Sequence, residues 1–132
     1  ACELIPFKAG IEAKTDMIMI SHITAGNITN DGLPSSLSQD MIEGRLRGDL
    51  NFDGIIISDS MAMGAITERY SSGEAAVLAI KAGTDIVLMP EVYAEAFESI
   101  LEAVARGEIS EERIDESVMR ILSLKEQYDI LI

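Results

Sequence analysis

Three short apolar runs, Met17 to Ile20, Ile55 to Ile57 and Ile86 to Leu88, carry no polar alternation. A strand with one wet face alternates, whereas a strand covered on both faces does not, so each run predicts a buried parallel strand. Between them Met41, Ile42, Leu46 and Leu50 recur at near-helical spacing, and Ala75 to Ile80 is an Ala-rich run closed by Gly83. The order strand, helix, strand, helix, strand is that of an α/β fold built on a parallel sheet.

Similar punctuation precedes each run. Lys8-Ala9-Gly10 stands before Thr15-Asp16-Met17, Lys81-Ala82-Gly83 before Thr84-Asp85-Ile86, and Phe52-Asp53-Gly54 before Ile55. In such a unit Gly ends the incoming helix with positive φ and the polar pair turns the chain into the strand, which reads Asp16 and Asp85 as geometry and not as chemistry. Ser71-Ser72-Gly73-Glu74 spells a capping box and starts a helix near Ser72. Ala94 to Arg106 predicts a helix with Phe97, Ile100, Leu101 and Val104 on one face, ended by Gly107. A last helix follows, with Ser110 as N-cap, Ile109 and Ile114 as a hydrophobic staple, and Ile114, Val118, Ile121, Leu122 and Tyr128 as a core-facing stripe. Thr24 to Ser36 is the one long irregular stretch and is expected to be a surface loop, leaving the strand end where α/β folds place ligands. Its Asn27-Ile28-Thr29 matches a glycosylation acceptor, a tripeptide without weight outside a secretory context.

Composition narrows the function classes. With 132 residues, 48% of them hydrophobic, and a mean hydropathy of +0.21, the chain has material for one domain with a buried core. Ten Lys and Arg against 23 Asp and Glu leave a net charge of −13, which repels a polyphosphate backbone and argues against a nucleic-acid partner. No apolar run approaches the roughly 18 residues of a membrane span. The lone Cys2 closes no intrachain disulfide and leans the reading toward a reducing, cytoplasmic compartment, with secretion left open. The chain begins at Ala1 with neither an initiator Met nor a charged-then-apolar leader and is expected to be a portion of something longer.

If the three strands are parallel, Ser21-His22, Ser58-Asp59-Ser60 and Met89-Pro90 fall on one rim. Asp59 follows three consecutive Ile residues, where an ionised carboxylate needs a partner, a ligand or solvent. It is the candidate catalytic residue; the competing reading is a cap for the turn from Ser60 to Gly64. His22 holds the equivalent place on the preceding strand, as a substrate contact, a support for a neighbouring group, or a satisfied packing histidine. Met61 and Met63 flank Ala62 just beyond, lining a pocket or packing beneath the rim. Ser58 lacks a Gly-x-Ser-x-Gly elbow, one His beside one Cys makes no zinc pattern, and no Gly-rich turn precedes a Lys-Ser or Lys-Thr pair. A serine hydrolase, a metal site and a nucleotide site are all disfavoured, and no cofactor is expected.

Met19-Ile20-Ser21-His22-Ile23, Leu33-Pro34-Ser35-Ser36-Leu37-Ser38 and the segment from Phe52 through Ser58-Asp59-Ser60-Met61-Ala62-Met63 to Ile66 resemble family 3 glycoside hydrolases in order and spacing. The likeness continues through Ala82 to Pro90 and Arg113 to Lys125, so it takes in nearly the whole chain. It implies the C-terminal half of a (β/α)8 TIM barrel, residues 1–132, with parallel strands and a C-terminal helix. It also implies that Asp59 attacks the anomeric carbon of a carbohydrate substrate to give a covalent glycosyl-enzyme, opened by water with retention. Family β-glucosidases commonly carry an aromatic residue soon after this aspartate; Ser60-Met61-Ala62-Met63 is more similar to the β-N-acetylhexosaminidases acting on terminal N-acetylglucosaminides. By the same resemblance His22 matches a strand-end histidine near the sugar, with Met63 beside it. The hexosaminidases' upstream Lys-His pair and Gly-His-Gly loop, which supplies the acid/base, are absent from this sequence. The isolated chain is therefore expected to be inactive. The missing N-terminal half of the barrel is its expected partner, with homo-oligomerisation or exchange of elements as other ways to cover open strand edges. A β-glucosidase-type enzyme and a non-catalytic half-barrel module are the alternatives.

Overall fold

The computed structural model describes residues 4–130, so Cys2 lies outside the described residues. Helix α1 spans Ile5–Glu12, with Pro6 in its first turn, where a missing N–H costs nothing. Strand β1, Met17–Ile20, follows and pairs in parallel with β2, Ile55–Ser58, in the register Met17 to Ile55 through Ile20 to Ser58. A 3-10 turn at Ser35–Leu37 and a widened helical segment at Asp40–Asp49 connect them. The latter is wound as a π-helix where regular helical spacing is expected, and its Leu50 N–H reaches back five residues to the Arg45 carbonyl. The short helix α2, Gly64–Thr67, and helices α3, Ser72–Ala82, α4, Tyr93–Ala105, and α5, Glu111–Gln127, complete the chain. This is an α/β architecture with a small parallel sheet and helices packed on it.

The third apolar run forms less strand than its sequence predicts. It continues the sheet by a single parallel bridge, Ile57 to Ile86. Ser58 N–H donates to the Ile86 carbonyl at 3.0 Å, and beyond it the Leu88 N–H turns to the Ser58 side chain Oγ at 2.9 Å. A hydroxyl thus takes a donor that a longer ladder would have paired with backbone.

Capping chemistry places the helices well. Ser71 Oγ accepts the Glu74 N–H while Glu74 accepts the Ser71 N–H, and Ser110 caps α5 by accepting the Arg113 N–H. The repeated lead-in to the strands needs correction, because only Gly83, at φ +110°, ends its helix in a left-handed turn. Gly10 lies inside α1, and Lys14 and Asn51 carry the positive φ before β1 and β2. Gly54 serves a different purpose: a Cβ there would stand 2.5 Å from the Asp16 carbonyl oxygen, so glycine lets the two strand starts approach.

The core lies on one side of the sheet. Ile18, Ile20 and Ile56 pack against Ile42, Leu46, Leu50, Phe52 and Ala82. On the other face Ile55 is buried and Ile57 half-buried, but Met17 and Met19 of β1 are exposed, Met19 by 54%, so among the described residues the expected cover on that face is only partial. The predicted helix stripes differ in the same way. Ile114 packs beside Ile109 as a staple should, and Ile100 and Val104 join them, but Phe97, Leu101, Val118, Leu122 and Tyr128 face outward. The buried positions of α4 and α5 are the small residues Ala96, Ala103 and Ser117, because the described chain brings no further layer against the larger ones.

Candidate active site

Side chains alternate along a strand, which sorts the rim residues by face. Ile55, Ile57 and Asp59 share one face of β2, beside Met17, Met19 and Ser21 of β1. Asp59 therefore crowns the face on which Met17 and Met19 are exposed. Its N–H donates to the Ile20 carbonyl at 2.8 Å, so the chain remains tied to β1 one residue past the sheet. The carboxylate is half-buried, and its Oδ1 accepts the Ser60 N–H at 2.7 Å. No other hydrogen bond reaches it among the described residues, so Oδ2 has no protein donor there. The competing role as a turn cap reduces to that one bond to the adjacent residue.

His22 sits on the opposite, helix-facing side of β1, following Ile18 and Ile20, and is only 9% exposed. Nε2 is 2.9 Å from the Ser60 carbonyl oxygen and Nδ1 is 2.7 Å from Ser36 Oγ. Both ring nitrogens thus have protein partners. Met61 is buried against Leu37, Ile66, Ala75 and Ala79, whereas Met63, at the N-cap of α2, is 46% exposed at the rim. Ser58 is fully buried and engaged with Leu88, with no hydrogen bond to His22 among the described residues. Met89 also stands on the rim, in a left-handed conformation at φ 47°. A groove of about 340 Å³ runs along β1 between Phe7, Met19, Ile28, Met41 and Leu46, and Asp59 is not among its lining residues. Among the described residues no group of three or more His, Cys, Asp or Glu side chains gathers as a metal site would require.

Two participants escape a residue-by-residue reading of the sequence. Ser36, fully buried, is visible there only as part of the Pro34-Ser35-Ser36 string. Asp85, read from the repeat as turn punctuation, has a side chain with no solvent exposure. Its Oδ2 accepts from Arg47 at 2.8 Å and from the Ile56 N–H at 2.9 Å, while its Oδ1 accepts from Ser117 at 2.6 Å and Arg120 at 3.1 Å. Arg113 approaches within 3.6 Å. Burial holds the Arg47 guanidinium below its ordinary value, and the charge of Asp85 opposes that effect. Arg47 also donates to the Phe52 and Gly54 carbonyls at 2.6 and 2.7 Å, so this cluster fixes the beginning of the strand that ends in Asp59.

A carboxylate held at the end of a parallel strand, on a helix-backed sheet, defines an α/β chain with a candidate acid, base or nucleophile on its rim. The chain belongs to the glycosyl hydrolase family 3 N-terminal domain family, whose model matches residues 1–124. It is 36% identical over 103 residues to a β-hexosaminidase of Xanthomonas oryzae pv. oryzae, a match covering 74% of this chain and 29% of that protein. It is 30% identical over 130 residues to a β-N-acetylglucosaminidase/β-glucosidase of Cellulomonas fimi, covering 92% of this chain and 23% of that protein. A solved family 3 β-N-acetylglucosaminidase from Paenibacillus sp. str. FPU-7 superposes with a TM-score of 0.93 at 41% identity, covering 97% of this chain and 25% of that one. The chain spans about a quarter of the length of these relatives.

Proposed function

We propose that residues 1–132 are the C-terminal portion of a (β/α)8 catalytic barrel in a retaining β-N-acetylhexosaminidase, with Asp59 as its nucleophile. The observation that carries this reading is the Asp59 carboxylate: it stands at a strand end, with Oδ1 held by the Ser60 N–H and Oδ2 without a protein donor among the described residues. Oδ2 attacks the anomeric carbon of a terminal N-acetylglucosaminide, the glycosidic bond breaks, and the leaving oxygen takes a proton from an acid outside this chain. The conjugate base of that acid then takes a proton from water, whose oxygen adds to the anomeric carbon and releases Asp59, so two inversions leave net retention. The acid comes from the upstream half, since the chain's single histidine, His22, has both nitrogens engaged.

The names of the relatives, β-hexosaminidase and β-N-acetylglucosaminidase, and the run Ser60-Met61-Ala62-Met63 without an aromatic residue support an N-acetylglucosaminide over a glucoside. Exposed Met63 borders the sugar in this reading, and the buried His22 lies beneath the rim. The uncovered Met17, Met19, Phe97 and Leu101 are where the remaining barrel docks, and in the isolated chain self-association or exchange of elements covers them.

The test uses the full-length protein that carries these residues. Asp59→Ala lowers kcat on an aryl N-acetylglucosaminide by roughly 10⁴-fold, and added azide restores turnover with an α-glycosyl azide as product. Wild-type turnover by Asp59→Ala would sink the proposal. Faster hydrolysis of the aryl glucoside than of the N-acetylglucosaminide by the unaltered protein would move it to the β-glucosidase reading.

A further inference from the structure

We infer that His22 is a positioning residue for Asp59, acting through the Ser60 backbone; this rests on the nucleophile reading above. The Ser60 carbonyl can only accept, so Nε2 of His22 carries a proton and donates it at 2.9 Å. In the singly protonated ring Nδ1 then accepts from Ser36 Oγ at 2.7 Å, and Ser36 is fully buried. The imidazole is thereby held from both sides beneath the rim.

The next peptide group is held just as firmly. Its oxygen, that of Ser60, receives the His22 bond, and its nitrogen, that of Met61, donates to the Leu88 carbonyl at 2.9 Å. One Cα away, the Ser60 N–H donates to Asp59 Oδ1 at 2.7 Å, while the Asp59 N–H is tied to Ile20 at 2.8 Å. With both flanking peptides pinned, Ser60 cannot rotate its N–H away from the carboxylate. Without the His22 donor, the Ser60 carbonyl loses its buried partner and that constraint relaxes. His22 spans from β1 to the segment after β2, 38 residues on, so it couples the two strand ends that frame the site. This role needs the Nε2–H donor and not the imidazole as such.

The experiment compares His22→Gln, whose amide nitrogen reaches the place of Nε2, with His22→Asn, whose amide reaches only the place of Nδ1. Steady-state kinetics on an aryl N-acetylglucosaminide are measured in the full-length protein. We expect Gln to keep kcat within about threefold, and Asn to lose about 100-fold in kcat with KM nearly unchanged, the scale of a misplaced reacting group. KM rising alike in both variants at constant kcat would make His22 a sugar ligand instead. Unchanged kcat and KM in both, or an equal loss of kcat in both, would also overturn the inference. Thermal melting of each variant checks that it is folded, and the inactivation rate by a slowly released 5-fluoro glycosyl donor reads the glycosylation step separately. Asp59→Ala serves as the reference: if it retains wild-type turnover, the nucleophile reading fails and the inference falls with it. A normal Asp59 dependence with unaffected His22 variants refutes the inference alone.

Discussion

The Asp59 N–H donates to the Ile20 carbonyl oxygen at 2.8 Å, which sets the proposed nucleophile against the neighbouring strand without help from any residue outside the chain. Under the proposed retaining mechanism these residues supply the nucleophile, and the group that protonates the leaving oxygen comes from elsewhere in the full-length protein.

The first prediction follows from that division. The isolated chain hydrolyses an aryl N-acetylglucosaminide at least about 10⁴-fold more slowly than the full-length protein, because a positioned nucleophile without its acid and substrate clamp loses most of the rate enhancement. A colorimetric assay on both proteins checks it. Turnover by the isolated chain at the full-length rate, abolished in Asp59→Asn, would place the acid within these residues.

Asp85 yields a stability prediction. Asp85→Asn leaves Arg47, Arg113 and Arg120 facing one another without their shared counter-charge, and burial already presses on Arg47. We expect a loss of about 3–5 kcal/mol in urea denaturation, the range found when one partner of a buried ion pair is removed. Paired replacement by Asp85→Leu and Arg47→Met should cost less than the sum of the two single changes. A loss below about 1 kcal/mol for Asp85→Asn would deny the cluster its structural role.

Two of the three glycines in the repeated lead-in should respond in opposite directions. Gly83→Ala forces a side chain into φ +110° and against Ile42 Cγ2 at 2.8 Å, costing about 1–3 kcal/mol. Gly10→Ala, inside α1 with open space around its Cβ position, stabilises by about 0.5–1 kcal/mol. Thermal denaturation of the two variants separates them, and equal effects would restore the repeat as a shared geometric unit.

Tyr128 gives a pH signature. Its hydroxyl donates to Asp16 at 2.6 Å, and that bond, with the carboxylate's charge, holds the phenol above its ordinary value. A group raised in the folded state adds stability that is complete below its unfolded value, near 10, and disappears as pH rises through the folded value. In an ultraviolet titration Asp16→Asn should move one phenol of the three tyrosines to lower pH. An unchanged titration would show that the contact does not persist in solution.

Much of this was legible in the sequence because it is local. The capping box at Ser71 and Glu74, the N-cap at Ser110 and the strands at Met17 and Ile55 depend on neighbours within a few residues. The rim position of Asp59 followed from strand direction alone. What was hidden depends on partners far along the chain: Asp85 reads as a turn until Arg47, Arg113 and Arg120 converge on it, and His22 stays divided between substrate contact, support and packing until Ser36 and Ser60 meet its ring. The outward-facing Phe97, Leu101, Val118 and Leu122 mark a second limit, because periodicity reports that a face is apolar but not that its covering layer is present.

The most direct test of the central claim is to treat the full-length protein with a 5-fluoro N-acetylglucosaminyl fluoride, digest it, and locate the sugar by peptide mass spectrometry. We expect one glycosyl ester, on Asp59. A label on another carboxylate, or stoichiometric inactivation with Asp59 unmodified, would contradict it.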